Sequence, residues 1–226
     1  MRVPRPPHRW RISPARAIAV QMELAGRVVK EWDGRAVRWV AGLDAAFTPL
    51  RCIGAAVLWD LANGVVEEQR IAVCPLTFPY IPGFLSFREA PALLGALRKL
   101  RRTPDVLMCD GQGIAHPRRF GIASHIGVLT GLPSIGCAKN RLTGEYCEPG
   151  LFRGNSAPLV DRGEVIGAVV RSRSNTKPVF VSIGHLIDLP SAVGIVLAAA
   201  KGYRLPEPTR LADMLVTAAR KRVNRP

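Results

Sequence analysis

The stretch RWVAGLDAAFTPLRCIGAAVLWDLANGVVEEQRIAV, residues 38–73, decides the fold because three apolar segments follow one another with only short turns between them. The apolar runs predict β-strands over 38–47, 53–61 and 65–73. Asn63-Gly64 separates the last two segments, and this dipeptide favours the two-residue turn of a β-hairpin. The stretch therefore predicts an antiparallel meander of three strands.

The segments on both sides of this meander predict helices and further strands. Ser13 and Pro14 suit the cap and first turn of a helix, which we expect to run to Trp32 and stop near Asp33-Gly34. Downstream we predict helices at 87–102, 118–130, 190–201 and 208–223, and strands at 105–109, 133–138, 159–171 and 179–184. This order predicts an α/β fold with a mixed sheet, an antiparallel meander plus helix-connected parallel strands, flanked by helices. Such a sheet is typical of a ribonuclease H-like fold, whereas a flavodoxin-like fold would need helices between the first strands.

Length and composition narrow the class of protein. The chain has 226 residues, of which 48% are hydrophobic, which suits a single domain over 1–226 and excludes global disorder. The apolar runs are too short to cross a bilayer, which excludes a membrane-spanning protein. Five cysteines without a C-x-x-C pair favour reduced thiols in the cytoplasm over a zinc or disulfide framework. A monomer is the default expectation.

The formal net charge of +15 points to a polyanionic partner, most often nucleic acid. The alternative is a basic surface that has no specific partner. Nine of these charges lie in predicted basic tails at the two ends, about 1–13 and 220–226 with Arg16 next to the first tail: Arg2, Arg5, Arg9, Arg11, Arg16, Arg220, Lys221, Arg222 and Arg225. The remaining excess of +6 coincides with residues 98–141, which carry eight basic and two acidic side chains. We expect the tails to give general affinity and the central patch to surround a site.

Two aspartates stand in apolar strands. Asp44 follows Val-Ala-Gly-Leu, and Asp110 follows Val-Leu-Met-Cys. A carboxylate is costly to bury unless it is paired or binds a cation. Because the two predicted strands are neighbours, the two carboxylates can face each other across a Mg²⁺ ion, which prefers oxygen ligands. The alternative is that each aspartate caps a helix or turn.

Several further side chains suit phosphate or base contacts, each with a structural alternative. Glu89 near a helix start is either an acidic site residue or a charge on the helix dipole. His116 lies in a loop just before Arg118 and Arg119 at a predicted helix start, and a helix N-terminus with two arginines suits a phosphate. Lys139 after an apolar strand either holds a phosphate oxygen or is a solvated charge. The 79–84 loop, Pro-Tyr-Ile-Pro-Gly-Phe, either wedges between bases or packs on the core.

Residues 37–213 resemble the endonuclease V family, the deoxyinosine-specific DNA repair nucleases. The strongest stretches are DVLMCDGQGIAHPRRFGIASHIGVLTGLPSIGCAKNRL (105–142) and PYIPGFLSFRE (79–89), supported by VAGLDAAF, KPVFVSIGH and KGYRLPEPTRLAD. The resemblance implies a ribonuclease H-like fold and Mg²⁺-dependent hydrolysis, with Mn²⁺ as a substitute. It further implies that the second phosphodiester bond on the 3′ side of deoxyinosine is cut, leaving 3′-hydroxyl and 5′-phosphate ends.

The resemblance also implies roles for individual residues. Asp44 and Asp110 match the metal-binding aspartates of the family, and Glu89 matches its third acidic residue. His116 and Lys139 match residues near the reacting phosphate, where they supply positive charge or proton transfer. Substrate contacts fall on the wedge loop around Tyr80, which contains Pro79, Tyr80, Ile81 and Pro82, and on backbone close to the flipped base at Gly111, Gly113 and Gly121. Arg118 is a further predicted substrate residue, from its place at the expected phosphate site. Two departures are Gln112, where many members carry His, and Asp213, at a position that varies, to which we assign no firm metal role.

Two alternatives stay open at this point. The same site could act on inosine in RNA, because nothing in the sequence obviously senses a 2′-hydroxyl group. The chain could also be a nucleic-acid-binding module without catalysis, although the intact set of acidic residues and Lys139 argues against it.

Overall fold

The computed structural model describes residues 1–223, which form five helices and eight strands joined in one sheet. The sheet has the order β3-β2-β1-β4-β5-β8-β7-β6. The strands are β1 (Trp39–Phe47), β2 (Arg51–Asp60), β3 (Val65–Pro75), β4 (Val106–Cys109), β5 (Ser134–Ala138), β6 (Ser156–Asp161), β7 (Glu164–Val170) and β8 (Val179–His185). The helices are α1 (Pro14–Ala25), α2 (Leu85–Arg98), α3 (Ile122–Thr130), α4 (Leu189–Ala199) and α5 (Glu207–Val223).

The first half of the sheet confirms the predicted meander. Strands β1, β2 and β3 pair antiparallel, and the turn between β2 and β3 contains Gly64 with a φ of 68°. The Asp60 carboxylate accepts bonds from the backbone N–H groups of Ala62 and Asn63, which fixes that turn. Strands β1, β4 and β5 are parallel neighbours, as helix-connected strands should be. The predicted mixed α/β sheet is therefore correct.

The second half of the sheet differs from the prediction at one strand. Residues 159–171, expected as one strand, lie in the hairpin β6–β7, which turns at Arg162 and Gly163 with φ values of 54° and 77°. Strands β8, β7 and β6 extend the sheet beyond β5 as antiparallel strands. The turn Asp-Arg-Gly-Glu lacks the Asn-Gly signal of the first hairpin, so the apolar run seemed continuous in the sequence.

Three helix boundaries were predicted wrongly, and one of them is the end of α2, which lies at Arg98 instead of residue 102. Helix α1 ends at Ala25 instead of Trp32, because the chain continues in an extended path that packs Val28 and Trp32 against the core beside α4. Helix α3 begins at Ile122 instead of residue 118, with Gly121 as its N-cap. Arg119 has a φ of 55°, a left-handed conformation that a helix cannot contain.

Helices cover both faces of the sheet. Helices α2 and α3 pack on the face that presents Leu43 and Leu107, and α5 packs on the opposite face against Ile53, Ala55 and Val57. Gly42 in β1 allows α5 to approach, because a Cβ atom there would lie 2.0 Å from the carbonyl carbon of Pro208. This contact brings α5 to the strand that carries Asp44.

The predicted N-terminal tail packs against the domain rather than standing free. Its arginines are exposed, while Met1, Val3, Trp10 and Ile12 contact core residues. The imidazole of His8 lies 2.8 Å from that of His125 in α3. At the other end, Arg220, Lys221 and Arg222 occupy the last turn of α5, and Arg225 lies outside the described residues. Within residues 1–223, no helix is long and apolar enough to cross a membrane.

Candidate active site

Three acidic side chains from three elements line one cavity of about 380 Å³. Asp44 lies near the end of β1, and Asp110 directly follows β4. The Asp110 N–H donates to the carbonyl of Leu43 at 3.0 Å, which keeps the two chain segments in register. Glu89 enters from the second turn of α2, so it is not a first-turn charge on the helix dipole. We call Asp44, Glu89 and Asp110 the acidic cluster.

One cation contacts the acidic cluster directly. Lys139 follows β5, and its Nζ lies 2.6 Å from Oδ2 of Asp110. The three parallel strands β1, β4 and β5 thus deliver Asp44, Asp110 and Lys139 to the same edge of the sheet. Asp213 on α5 is close enough to act on the charges of Asp44, Asp110 and Lys139, although it does not line the cavity.

The pKa values show how poorly this cluster tolerates three negative charges. Burial and, after it, the neighbouring Asp110 together raise the pKa of Asp44 to about 8. Burial raises the pKa of Glu89 well above its usual range, with Asp44 and Asp110 adding to the effect. Burial also raises the pKa of Asp110, although the hydrogen bond from Lys139 opposes this. A single lysine therefore leaves the cluster short of positive charge.

The cluster fits a hard divalent cation by its chemistry. Its donors are carboxylate oxygens, without a thiol or imidazole, which suits Mg²⁺ better than a softer metal. Within residues 1–223, no three acidic, histidine or cysteine side chains already converge as a finished metal site. The raised pKa values of the three carboxyl groups support a bound cation, because a cation among these oxygens would favour their charged forms.

The 79–84 loop combines the two roles that its sequence suggested. Phe84 is buried, and Ile81 is half-buried against the same aromatic cluster of Phe78, Phe87 and Phe120. Tyr80, in contrast, has 71% of its surface exposed and stands at the rim of the cavity. The loop is an anchored support that carries an exposed aromatic tip.

The carbonyl of Gly83 holds this loop in place. It accepts hydrogen bonds from Gln21 Nε2 at 3.0 Å, from His116 Nε2 at 2.9 Å and from Arg118 Nη2 at 2.8 Å. Gln21 also accepts a bond from Arg118 Nε at 2.6 Å and is almost fully buried. We call this arrangement the Gly83 junction. Gln21 was not predicted from the sequence, because a polar residue in α1 has no local signal for contacts this far along the chain.

The Gly83 junction determines which ring nitrogen of His116 carries the proton, and burial there determines the charge of the ring. Its Nε2 donates to Gly83, and its Nδ1 accepts from the N–H of Arg118 at 3.1 Å. Burial lowers the pKa of His116 to about 4, so the ring is neutral near pH 7. Both ring nitrogens are thus engaged in holding loops together.

The predicted substrate residues fall into two groups. Tyr80, Ile81, Pro82, Gly111 and Gly121 line the cavity, but Pro79, Gly113 and Arg118 do not. Gly113 is buried, and its N–H donates to Ser182 Oγ at 2.8 Å. Arg118 was predicted to lie at a helix start, but it lies in the loop before α3. Its guanidinium belongs to the Gly83 junction. Gln112 lines the cavity and donates to the carbonyl of Asn140 at 2.9 Å.

The sequence model of the Endonuclease V family matches residues 22–214. An endonuclease V from Azotobacter vinelandii is 52% identical over 211 residues, which cover 92% of this chain and 95% of that protein. The chain belongs to the endonuclease V family. It is therefore a nuclease, and the alternative of a binding module without catalysis is set aside.

Solved endonuclease V structures share the fold. The structure from Streptomyces avermitilis has a TM-score of 0.91 and 45% identity, and covers 96% of each chain. An endonuclease V from Ciona intestinalis, bound to DNA containing an inosine followed by a ribo-adenosine, has a TM-score of 0.83 and 26% identity over 93% of this chain and 98% of that chain. The predicted ribonuclease H-like fold is confirmed. Endonuclease V nucleases depend on a metal ion.

Proposed function

We propose that this endonuclease recognises deoxyinosine in DNA and hydrolyses the second phosphodiester bond on its 3′ side, using Mg²⁺. The observation that carries the proposal is the acidic cluster and Lys139 in one cavity with the exposed Tyr80 at its rim. The inosine-containing DNA held by the Ciona intestinalis relative supports the same substrate class. The products would carry 3′-hydroxyl and 5′-phosphate ends.

Asp44, Asp110 and Glu89 would hold the metal ion, for which Mn²⁺ can substitute. When bound, the ion supplies Lewis-acid stabilisation of the phosphate and a more acidic water. Lys139, tied to Asp110 at 2.6 Å, places a positive charge beside the reacting phosphate oxygen. His116 acts through the Gly83 junction, because its engaged nitrogens leave no free position for proton transfer.

The base would be read in the part of the cavity away from Lys139. Tyr80 can fill the gap in the stack that an extruded base leaves, with Ile81, Pro82 and Pro79 fixing the shape of the loop. Gly111 and Gly121 expose backbone at the cavity wall, where polar groups can distinguish hypoxanthine from adenine. Gly113 and Arg118 would contribute indirectly: Gly113 fixes the backbone next to the cavity residue Gln112, and Arg118 holds the 79–84 loop.

A nicking assay on a labelled duplex with one deoxyinosine tests the proposal. We expect Mg²⁺-dependent cleavage at one position, mapped to the second bond on the 3′ side. Asp110→Asn should abolish cleavage and retain some binding, whereas Asp33→Asn, an exposed carboxylate paired with Arg35, should cleave normally. Cleavage of the lesion duplex by Asp110→Asn at the wild-type rate would refute the assignment.

Inosine in RNA is the second candidate substrate. The DNA in the Ciona intestinalis complex carries a ribo-adenosine after the inosine, so that relative accommodates a 2′-hydroxyl group next to the lesion. Matched DNA and RNA oligonucleotides with one inosine decide between the two by their cleavage rates. A cytoplasmic monomer stays the expectation for this enzyme.

A further inference from the structure

A second groove, of about 390 Å³, continues from the candidate active site. It shares Lys139, Asn140 and Arg141 with the active-site cavity and extends from them to Lys177, at the turn before β8. Tyr146 and Phe180 form its aromatic wall. We call it the downstream groove, and none of the site residues considered so far except Lys139 lies in it.

The walls of the downstream groove are basic and not neutralised. Lys139 pairs with Asp110, but Arg141, Lys177 and Arg204 form no salt bridge within residues 1–223. The one acidic side chain of the groove, Glu148, is bound to Arg171 at 2.9 Å. The groove therefore offers positive charge to an anion that arrives from outside.

The aromatic wall is rigid. The Tyr146 ring meets Phe180 edge-on, with centroids 5.4 Å apart and planes at 77°. The backbone next to it is held by paired hydrogen bonds between Glu145 and Val160. The Arg141 guanidinium lies 5.8 Å from the Tyr146 ring centre. A fixed ring with a cation above it is a surface on which an unpaired base can stack.

Arg204 fixes the position of the groove relative to the acidic cluster. Its guanidinium donates to the carbonyls of Lys139, Lys177 and Pro178. The start of β8 is thereby tied to the end of β5, where Lys139 meets Asp110. The distance between the cutting site and the groove is thus built into the fold.

We infer that the downstream groove binds the single-stranded segment on the 3′ side of the cleaved bond, with a base on Tyr146 and phosphates on Arg141 and Lys177. This inference rests on the proposed function, because it takes the direction of the strand from the proposed cut. We place the lesion on the Tyr80 side of the cavity and the scissile phosphate at the acidic cluster. The strand then continues on its 3′ side into the downstream groove.

Substrate length tests the inference. Two single-stranded oligonucleotides share one deoxyinosine and the same 5′ segment, but one extends about ten nucleotides beyond the cut and the other ends one nucleotide beyond it. Binding is measured by fluorescence anisotropy without divalent metal, so that no cleavage occurs. We expect the wild-type protein to bind the long strand more tightly.

The variants locate the effect in the groove. Tyr146→Leu should weaken binding of the long strand roughly tenfold, because it removes a stacking surface, and Tyr146→Phe should keep the affinity. Lys177→Ala should weaken it about threefold and lower the salt slope by about one phosphate contact. Neither change should alter binding of the short strand. Arg101 belongs to the 98–141 patch that was expected to surround the site, but the structure places it, exposed, at the opposite end of the parallel strands. Arg101→Ala should therefore affect neither substrate.

Two results would overturn the inference: equal loss on the long and the short strand, or no loss on either. If annealing a complement to the 3′ segment leaves the Tyr146→Leu defect unchanged, base stacking on Tyr146 is also wrong. Lesion-dependent cleavage of the short strand by the wild-type enzyme tests the proposed function separately, because that substrate does not reach the groove.

Discussion

At the residue scale, the buried carboxyl group of Asp44 lowers the stability of the metal-free protein at a place that suits a cation. Its carboxylate is buried in a strand beside Asp110, and burial with that neighbour raises its pKa to about 8. A carboxyl whose pKa is raised in the folded state binds protons that the unfolded state has released. The metal-free protein therefore loses stability as the pH rises from about 4 towards 8.

Asp44→Asn should stabilise the metal-free protein at pH 7 and remove its function. The amide carries no charge, so we expect the free energy of unfolding to rise by at least about 1 kcal/mol, since each pKa unit corresponds to about 1.4 kcal/mol. We expect Mg²⁺ to raise the melting temperature of the wild-type protein, and this gain should disappear in the variant together with cleavage. Asp33→Asn is the matched control, and it should keep the Mg²⁺-dependent gain. A metal-free Asp44→Asn protein less stable than wild type would contradict the electrostatic account.

His116 gives a pH dependence of the opposite sign. Burial lowers its pKa to about 4, so between this value and about 6.5 the unfolded state binds a proton that the folded state does not. Stability from this group is complete above pH 6.5 and is lost as the pH falls towards 4. At pH 5.5 the loss amounts to about 1.4 kcal/mol.

His116→Gln removes this titration and keeps a donor for Gly83. We expect the variant to be less stable than wild type at pH 7.5, because one junction bond is altered, and the difference to shrink by about 1 kcal/mol at pH 5.5. Urea unfolding at both pH values with Mg²⁺ present measures it. A difference that is the same at both pH values would show that His116 is not held neutral.

At the scale of the elements, close backbone approaches set where the site residues lie. Gly42 in β1 touches the start of α5, and a Cβ there would lie 2.0 Å from backbone of Pro208. Backbone cannot move aside as a flexible side chain can, so the helix would have to shift. Gly194 in α4 has no atom within 4 Å of the corresponding position.

The two glycines therefore give a matched pair of alanine variants. Gly42→Ala should destabilise the fold by more than about 3 kcal/mol and displace α5 together with Asp213. Gly194→Ala should stabilise it by about 0.5–1 kcal/mol, because alanine is the better helix former. Thermal unfolding of both variants is the measurement. Equal melting temperatures would mean that α5 does not pack on β1 as described.

Site residues with a local sequence signal could be predicted, whereas residues whose role depends on contacts with distant parts of the chain could not. Asp44, Asp110 and Lys139 were found because each is a charged residue at or near the end of an apolar strand. Gln21 was missed, because its partners Gly83 and Phe120 are 62 and 99 residues away and are backbone carbonyls, which carry no residue identity.

The wrong boundaries have equally local causes. The start of α3 was placed four residues early because the sequence cannot show that Arg119 adopts a positive φ. The β6–β7 hairpin was missed because Arg162-Gly163 is a weak turn signal beside Asn63-Gly64. The first error affected the site, because it placed Arg118 at a helix start. The second error hid the true edge strand of the sheet, β6.

At the scale of the whole molecule, the N-terminal segment carries two separate properties. Its arginines at positions 2, 5, 9 and 11 are exposed, which suits contact with nucleic acid phosphates. Trp10 instead faces inward, with its ring centre 5.4 Å from that of His125 and 6.3 Å from that of Phe87. A deletion of the first 16 residues would remove charge, core packing and the Ser13 cap of α1 together, so it cannot separate affinity from stability.

Substitutions within the full chain separate the two properties. Replacing Arg2, Arg5, Arg9 and Arg11 with glutamine should keep the free energy of unfolding within about 0.5 kcal/mol, lower DNA affinity and reduce its salt slope. Trp10→Ala should lower the free energy of unfolding by about 2 kcal/mol, because it opens a cavity beside His125 and Phe87, and should keep the salt slope. The cleavage position should be the same in both, since neither change reaches the acidic cluster. If the arginine variant keeps the wild-type salt slope, the segment is structural only, and the positive charge that meets the nucleic acid must come from the cations of the active site and the downstream groove, such as Lys139, Arg141 and Lys177.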